Sequence, residues 1–156
     1  YVFIFMEIEG YNNYLIYEDG KVYNQKYKRY LKQGFHGRGY LYVSLWKDGK
    51  GKNISIHRLI GDHYIPNPEN KRCIDHINRI KTDNRIENLR WATHSENNQN
   101  TGIRKDNKLG IKNISSYKYG YRYEKIINKV VHRKSFKTLE EAVNYKKDYE
   151  IKYCKE

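Results

Sequence analysis

Residues 71–100 read KRCIDHINRIKTDNRIENLRWATHSENNQN, and their order of elements decides the fold. Cys73-Ile74-Asp75 is suited to a short strand and Leu89-Arg90-Trp91-Ala92 to a second, with a polar connection of about a dozen residues between them. Thr93 precedes Glu96 by three residues, the spacing of a capping box, in which hydroxyl and carboxylate each satisfy a backbone N–H at a helix start. A helix is therefore predicted from His94. The order strand, long loop, strand, helix puts Asp75 at the end of the first strand and Asn97 in the first turns of a helix packed across it. His76 follows Asp75 directly, and neighbouring side chains on a strand point to opposite faces.

Those residue types suit phosphodiester hydrolysis. A divalent cation polarises the phosphate and neutralises charge on the leaving oxygen. Hard cations such as Mg²⁺ prefer carboxylate and carbonyl oxygens, which Asp75 and Asn97 supply. A water must also lose a proton near neutral pH, and imidazole titrates in that range, which assigns the base to His76. Asn88, just before the second strand, is placed either to fix the loop or to orient the His76 ring.

Ile74-Asp75-His76-Ile77, Asn84-Arg85-Ile86-Glu87-Asn88-Leu89-Arg90-Trp91 and Glu96-Asn97, in this order across some thirty residues, resemble the HNH endonucleases, in particular the homing enzymes of phage and organelle introns. The resemblance implies a ββα-metal core with His76 as general base, Asp75 and Asn97 as metal ligands and Asn88 as a positioning residue. The implied cofactor is Mg or Mn. Members of this group often carry Gly in the turn after the His, where this chain has Asn78-Arg79. Asn tolerates a left-handed backbone, so Asn78 is expected to stand in for the glycine.

Outward from this core, residues 6–54 read as β-hairpins. Asp19-Gly20 and Asp48-Gly49 are turn signals between strand-like runs. Leu41, Val43 and Leu45 alternate with Tyr40, Tyr42, Ser44 and Trp46, as a half-buried strand requires. Ile56, Leu59, Ile60 and Tyr64 sit at helical spacing, with Ser55 as the expected cap and Pro66 and Pro68 beyond the end. Residues 7–65 resemble the nuclease-associated module that precedes this HNH class. Towards the C-terminus, Tyr119–Ile127 and Val130–Phe136 form a hairpin around Asn128-Lys129. Thr138-Leu139-Glu140-Glu141 opens a helix with Leu139, Ala142, Tyr145 and Tyr149 on one face. Residues 110–153 resemble an Apetala-type DNA-binding domain, three strands and a helix.

The expected architecture is α+β: a ββα-metal core at 71–101, an antiparallel β module at 1–70, and a three-stranded sheet plus helix at 102–156. The net charge of +13 points to a polyanionic partner. Its distribution is uneven: ten Lys/Arg against seven Asp/Glu in residues 1–70, six against four in 71–100, and fifteen against seven in 101–156. Double-stranded DNA is the expected partner. Arg72, Arg79 and Arg85 are its candidate contacts around the core, and Lys118, Tyr121, Arg122, Arg133 and Lys134 in the C-terminal part. Cys73 and Cys154 form no Cys-x-x-Cys pair, which excludes a zinc ribbon. His57 is expected to pack its helix against the core, His63 and His94 to lie on loop or helix surfaces, and His36 and His132 to be solvated strand positions.

No apolar run reaches transmembrane length. Tyr1-Val2-Phe3-Ile4-Phe5 is too short for a signal peptide, and Met6 is the expected natural start, with residues 1–5 an upstream extension or an edge strand. A monomeric, intracellular enzyme is expected, acting in a bacterial or virus-infected cytoplasm or an organelle matrix. It would nick or cut duplex DNA at a long, loosely read site. The competing reading is a non-catalytic, sequence-specific DNA-binding protein on a degenerate HNH scaffold. The intact Asp75, His76, Asn88 and Asn97 set argues against it, and an RNA-binding protein would account for the charge but not for that set.

Overall fold

The computed structural model describes residues 4–127 and 129–153. Tyr1–Phe3, Asn128 and Cys154 lie outside the described residues, and with them the start of the expected N-terminal extension, half of the expected hairpin turn and one cysteine. The chain forms two compact units, residues 1–100 and 101–156, and the fold is mixed α+β.

In the first unit, β1 (Phe5–Glu7), β2 (Tyr14–Tyr17), β3 (Val22–Asn24) and β4 (Arg29–Tyr30) form an antiparallel sheet in that order, with β1 at the edge. A second sheet orders β5 (Gly34–Phe35), β6 (Leu41–Lys47) and β7 (Lys50–Ser55). Lys47 pairs with Lys50, so Asp48-Gly49 is a two-residue hairpin loop. Both its residues have positive φ, 49° and 74°, the pairing that matches the twist of the flanking strands. Val43 and Leu45 are fully buried while Ser44 and Trp46 are exposed, as the alternation requires.

Helix α1 (Ile56–Tyr64) follows β7 directly. Ser55 occupies its N-cap position but makes no side-chain cap bond; it is still the last paired residue of β7, opposite Tyr42. The expected cap is therefore absent. The apolar face of α1, Ile56, Leu59 and Ile60, joins Ile8, Ile16, Val22, Val43, Leu45, Ile74 and Leu89 in one core that draws on both sides of residue 70. Tyr64 donates its hydroxyl to the Ile16 carbonyl at 2.6 Å, and Trp91 its indole N–H to the Ile65 carbonyl at 2.9 Å. A Cβ at Gly61 would overlap Ile74 Cδ1, so only glycine lets α1 lie this close to the next strand.

That strand, β8 (Cys73–His76), pairs antiparallel with β9 (Leu89–Ala92), with Asp75 opposite Arg90 and His76 opposite Leu89. Helix α2 (His94–Gln99) starts on the predicted capping box: Glu96 N donates to Thr93 Oγ1 at 3.2 Å, and Thr93 N to Glu96 Oε2 at 2.6 Å. That backbone bond, with Lys71 beside it, lowers the Glu96 pKa to about 2.

In the second unit, β10 (Ile114–Tyr117), β11 (Gly120–Ile127) and β12 (Val130–Phe136) form a sheet in chain order, followed by α3 (Leu139–Tyr153). Thr138 and Glu141 make the predicted reciprocal cap, each backbone N–H to side-chain bond being 3.2 Å. Ile114, Tyr123, Ala142 and Tyr149 are its buried centre, with Leu139 and Tyr145 packed against them. Two histidines differ from expectation: the His132 ring lies 5.5 Å from Tyr149 on the helix side, and the His36 ring 4.4 Å from Tyr42.

Candidate active site

The two strands that end at His76 and begin at Leu89 hold a twelve-residue loop, and the loop is stitched by its own asparagines. Asn88, 6% exposed, accepts from Asn78 N at 3.0 Å and donates to the Asp83 carbonyl at 2.7 Å. Of the two tasks open to Asn88, the structure places it at the first, fixing the loop. Asn78 ties the turn by accepting from Ile80 N and donating to Asp83 Oδ2. The left-handed residue is Arg79, with φ of 66°, not Asn78 as expected; the Asn78 side chain is engaged in the turn instead. Arg85 forks onto both Asp83 oxygens at 2.8 Å, and this pairing holds the Asp83 carboxyl far below the usual carboxylate range.

Asp75 and His76 are each 5% exposed and point to opposite sides of the hairpin. The Asp75 carboxylate accepts from Asn100 Nδ2 at 2.9 and 3.0 Å and from Arg90, whose Nε and Nη2 lie 3.1 and 3.0 Å from Oδ2. Asn100 also donates to the His76 carbonyl at 2.8 Å. Asn97 is half-buried in α2, one turn before Asn100. The sequence reading named Asn97 and missed Asn100; the i, i+3 spacing that puts both on one helix side was the available signal.

On the other side, His76 Nε2 lies 3.1 Å from Asn84 Oδ1. The His57 ring stands edge-on at 5.1 Å and the Tyr40 ring at 5.8 Å, with Lys81 Nζ 4.8 Å above Tyr40. His57 thus packs α1 against the core, as expected, and does so through His76 itself. Burial, with the His76 and Arg58 charges adding to it, lowers the His57 pKa to about 4. Of the remaining histidines, His94 Nδ1 lies 3.3 Å from Cys73 Sγ and His63 Nδ1 2.8 Å from the Leu59 carbonyl.

The donor chemistry fits a hard cation. Among the described residues no three His, Cys, Asp or Glu side chains gather as a metal cluster. What the hairpin offers is one buried carboxylate, Asp75, with Asn100 bound to it at the C-cap of α2 and Asn97 one turn earlier on that helix. Mg²⁺ needs little more, because it keeps several waters and completes its shell from one or two carboxylates and substrate phosphate.

The candidate DNA-contacting residues fall into separate settings. In the first unit Arg72 and Arg79 are exposed, whereas Arg85 is committed to Asp83 and Glu87. In the second, strand alternation splits the set. Tyr121 packs against the buried centre and Lys134 Nζ lies 4.6 Å over the Tyr145 ring, both on the helix side. Arg122 and Arg133 take the face of the sheet away from α3, Arg122 half-buried 4.7 Å over the Tyr117 ring and Arg133 paired with Glu124 at 2.7 Å. Arg122 Nε is buried with no hydrogen-bond partner among the described residues. Lys118 sits in the turn between β10 and β11, 5.4 Å over Tyr119.

Residues 55–99 match the family model described as HNH endonuclease. An uncharacterised HNH endonuclease of Acanthamoeba polyphaga mimivirus is 33% identical over 150 residues, which cover 96% of this chain and 43% of that protein. The DNA endonuclease I-HmuI of Bacillus phage SP01 is 36% identical over 95 residues, 60% of this chain and 55% of its own length. The chain thus spans about half the length of these curated relatives. A solved structure concerned with DNA binding and cleavage by the HNH homing endonuclease I-HmuI superposes with a TM-score of 0.60 at 26% identity, over 91% of this chain and 82% of that one. Over residues 55–99 the chain is therefore similar to the HNH endonucleases, a phage homing endonuclease among them.

Proposed function

We propose that the protein is a metal-dependent, site-specific endonuclease that hydrolyses phosphodiester bonds of duplex DNA and serves as a homing enzyme. The observation that carries this reading is the pair of buried polar side chains at the end of β8: Asp75 bound by Asn100 and Arg90, His76 turned to Asn84 and His57. Burying a carboxylate and an imidazole costs stability that hydrogen bonds only partly offset, and such buried ionisable groups gather at functional sites.

In this proposal Asp75 and Asn97 hold a Mg or Mn ion, with Asn100 bracing the carboxylate. The ion supplies Lewis-acid polarisation of the phosphate and neutralises charge on the leaving oxygen. His76 removes the proton from the attacking water. Asn88 acts at one remove, by closing the loop that carries Asn84. Residues 1–70, 71–101 and 102–156 divide the work as an N-terminal module, a catalytic core and an Apetala-like DNA-binding part. Arg72, Arg79 and Arg85 contact phosphates beside the cut. Arg122 and Arg133 face the duplex from the sheet surface away from α3, Lys118 reaches it from the β10–β11 turn, and Tyr121 and Lys134 support that sheet from the helix side. No described helix is long and apolar enough to cross a membrane, and the proposed site of action is inside the cell, on DNA, as a monomer.

The test is cleavage of a random-sequence duplex pool with Mg²⁺ or Mn²⁺, with and without chelator, by the protein and by His76→Ala. The substitution is expected to lower the cleavage rate at least ~100-fold with DNA affinity nearly unchanged, because a general base acts in the transition state and barely in binding. Unaltered turnover in His76→Ala would remove it from the mechanism.

A further inference from the structure

We infer that Asn84 is a positioning residue that sets the tautomer and orientation of His76, leaving Nδ1 as the nitrogen that receives the water's proton. The inference rests on His76 as the base. Among the described residues the ring has one polar side-chain contact, Nε2 to Asn84 Oδ1 at 3.1 Å. A neutral imidazole carries one N–H, and an amide oxygen only accepts, so that N–H belongs on Nε2 and the lone pair on Nδ1.

Asn84 is able to impose this because the chain on both sides of it is pinned. Asp83 is bound at its backbone N by the Ile80 carbonyl, at its carbonyl by Asn88 Nδ2, and at its carboxylate by Asn78 and Arg85. The Arg85 carbonyl accepts from Asn88 N at 3.0 Å. The amide is therefore presented from a fixed backbone, and the rings of His57 and Tyr40 crowd the imidazole and resist the ring flip that would exchange its nitrogens.

In the step so prepared, Nδ1 takes one proton from water while the water oxygen bonds to phosphorus. The bond from phosphorus to the departing sugar oxygen breaks, its electron pair leaving with that oxygen, which solvent then protonates. The imidazolium keeps its Nε2–H on Asn84, whose carbonyl dipole favours the charge formed.

The test is ¹⁵N NMR of the histidine-labelled, metal-free full chain at about pH 8, with the His76 signals assigned by their loss in His76→Ala. The expected result is a protonated Nε2 and a bare Nδ1. A protonated Nδ1 in the wild-type protein would overturn the assignment, and this reading needs no cleavage activity. Asn84→Ala should then give a mixture of tautomers and a kcat lower by at least ~10-fold, with KM for duplex DNA unchanged. Asn84→Asp, which still accepts, should restore the Nε2–H form. An unchanged tautomer and kcat in Asn84→Ala would equally sink the proposal. Failure of the wild-type protein to cleave any duplex would instead strike the nuclease reading, leaving the NMR result to decide the tautomer.

Discussion

At the scale of single residues, the hairpin end combines two buried polar groups whose surroundings pull them apart in character. Asp75 is held by donors on every contact the structure gives it, so replacing it removes the one carboxylate a cation would use. Asp75→Ala is expected to abolish cleavage and to eliminate measurable Mn²⁺ binding by calorimetry, whereas Asn97→Asp should keep part of both, because oxygen ligation survives. Mn²⁺ binding retained by Asp75→Ala would place the metal elsewhere. His57 makes a separate claim, on stability. Its pKa is lowered from 6.5 to about 4 by burial and by its neighbours His76, Arg58 and His36. The unfolded chain therefore binds a proton here that the folded chain refuses, and stability falls as pH drops from about 6.5 to about 4. The loss should approach about 3 kcal/mol, less whatever water reaches the ring, and His57→Gln should flatten it; urea unfolding at the two ends of that range reads the difference. Sequence spacing reached Asp75, His76, Asn88 and Asn97 because they sit at element ends or at recurrent positions of a motif. It did not reach Asn84 and Asn100, because nothing in an asparagine-rich loop or helix end says which amide meets which partner until the backbone turns.

At the scale of elements, the β8–β9 hairpin, its capped helix and the helix α1 that packs on it were legible from periodicity and from the two capping boxes. The signals that failed were single-residue ones. Ser55 stands at a helix start but remains in a strand ladder, and the left-handed turn residue fell on Arg79 because Asn78 was taken by side-chain bonds. Gly61 carried no signal at all, since its role appears only when α1 meets Ile74. Gly61→Ala should nevertheless destabilise the protein. Alanine gains up to about 1 kcal/mol in helix propensity, but the added methyl overlaps Ile74 and overpacking of this kind costs about 1–3 kcal/mol. A lower urea midpoint is the expected outcome; a higher one would mean that Ile74 moves aside freely. Pairing Gly61→Ala with Ile74→Val should recover part of the loss.

At the scale of the whole molecule, the charge arithmetic and the two compact units lead to one prediction. Residues 104–137 hold eleven Lys/Arg and two acidic residues, and phosphate contacts release condensed counterions. Removing residues 102–156 is expected to weaken duplex binding and flatten the dependence of log affinity on log salt, while the remaining fragment 1–101 stays folded and nicks DNA less selectively at low salt. Unchanged affinity and slope would make the basic C-terminal third a solvated surface and hand recognition to the N-terminal sheets. The core that joins Ile8, Val43 and Ile60 to Ile74 and Leu89 has a further consequence, for how such a gene can be rearranged. A crossover between the codons for Asn70 and Lys71 would pair each half of that core with a stranger, and the hybrid would lose its buried contacts on both sides. A crossover between the codons for Asn100 and Thr101 parts no buried cluster, since the second centre begins beyond it. Lineages that rearrange by recombination are therefore expected to keep their breakpoints at the latter junction, inheriting each buried cluster whole.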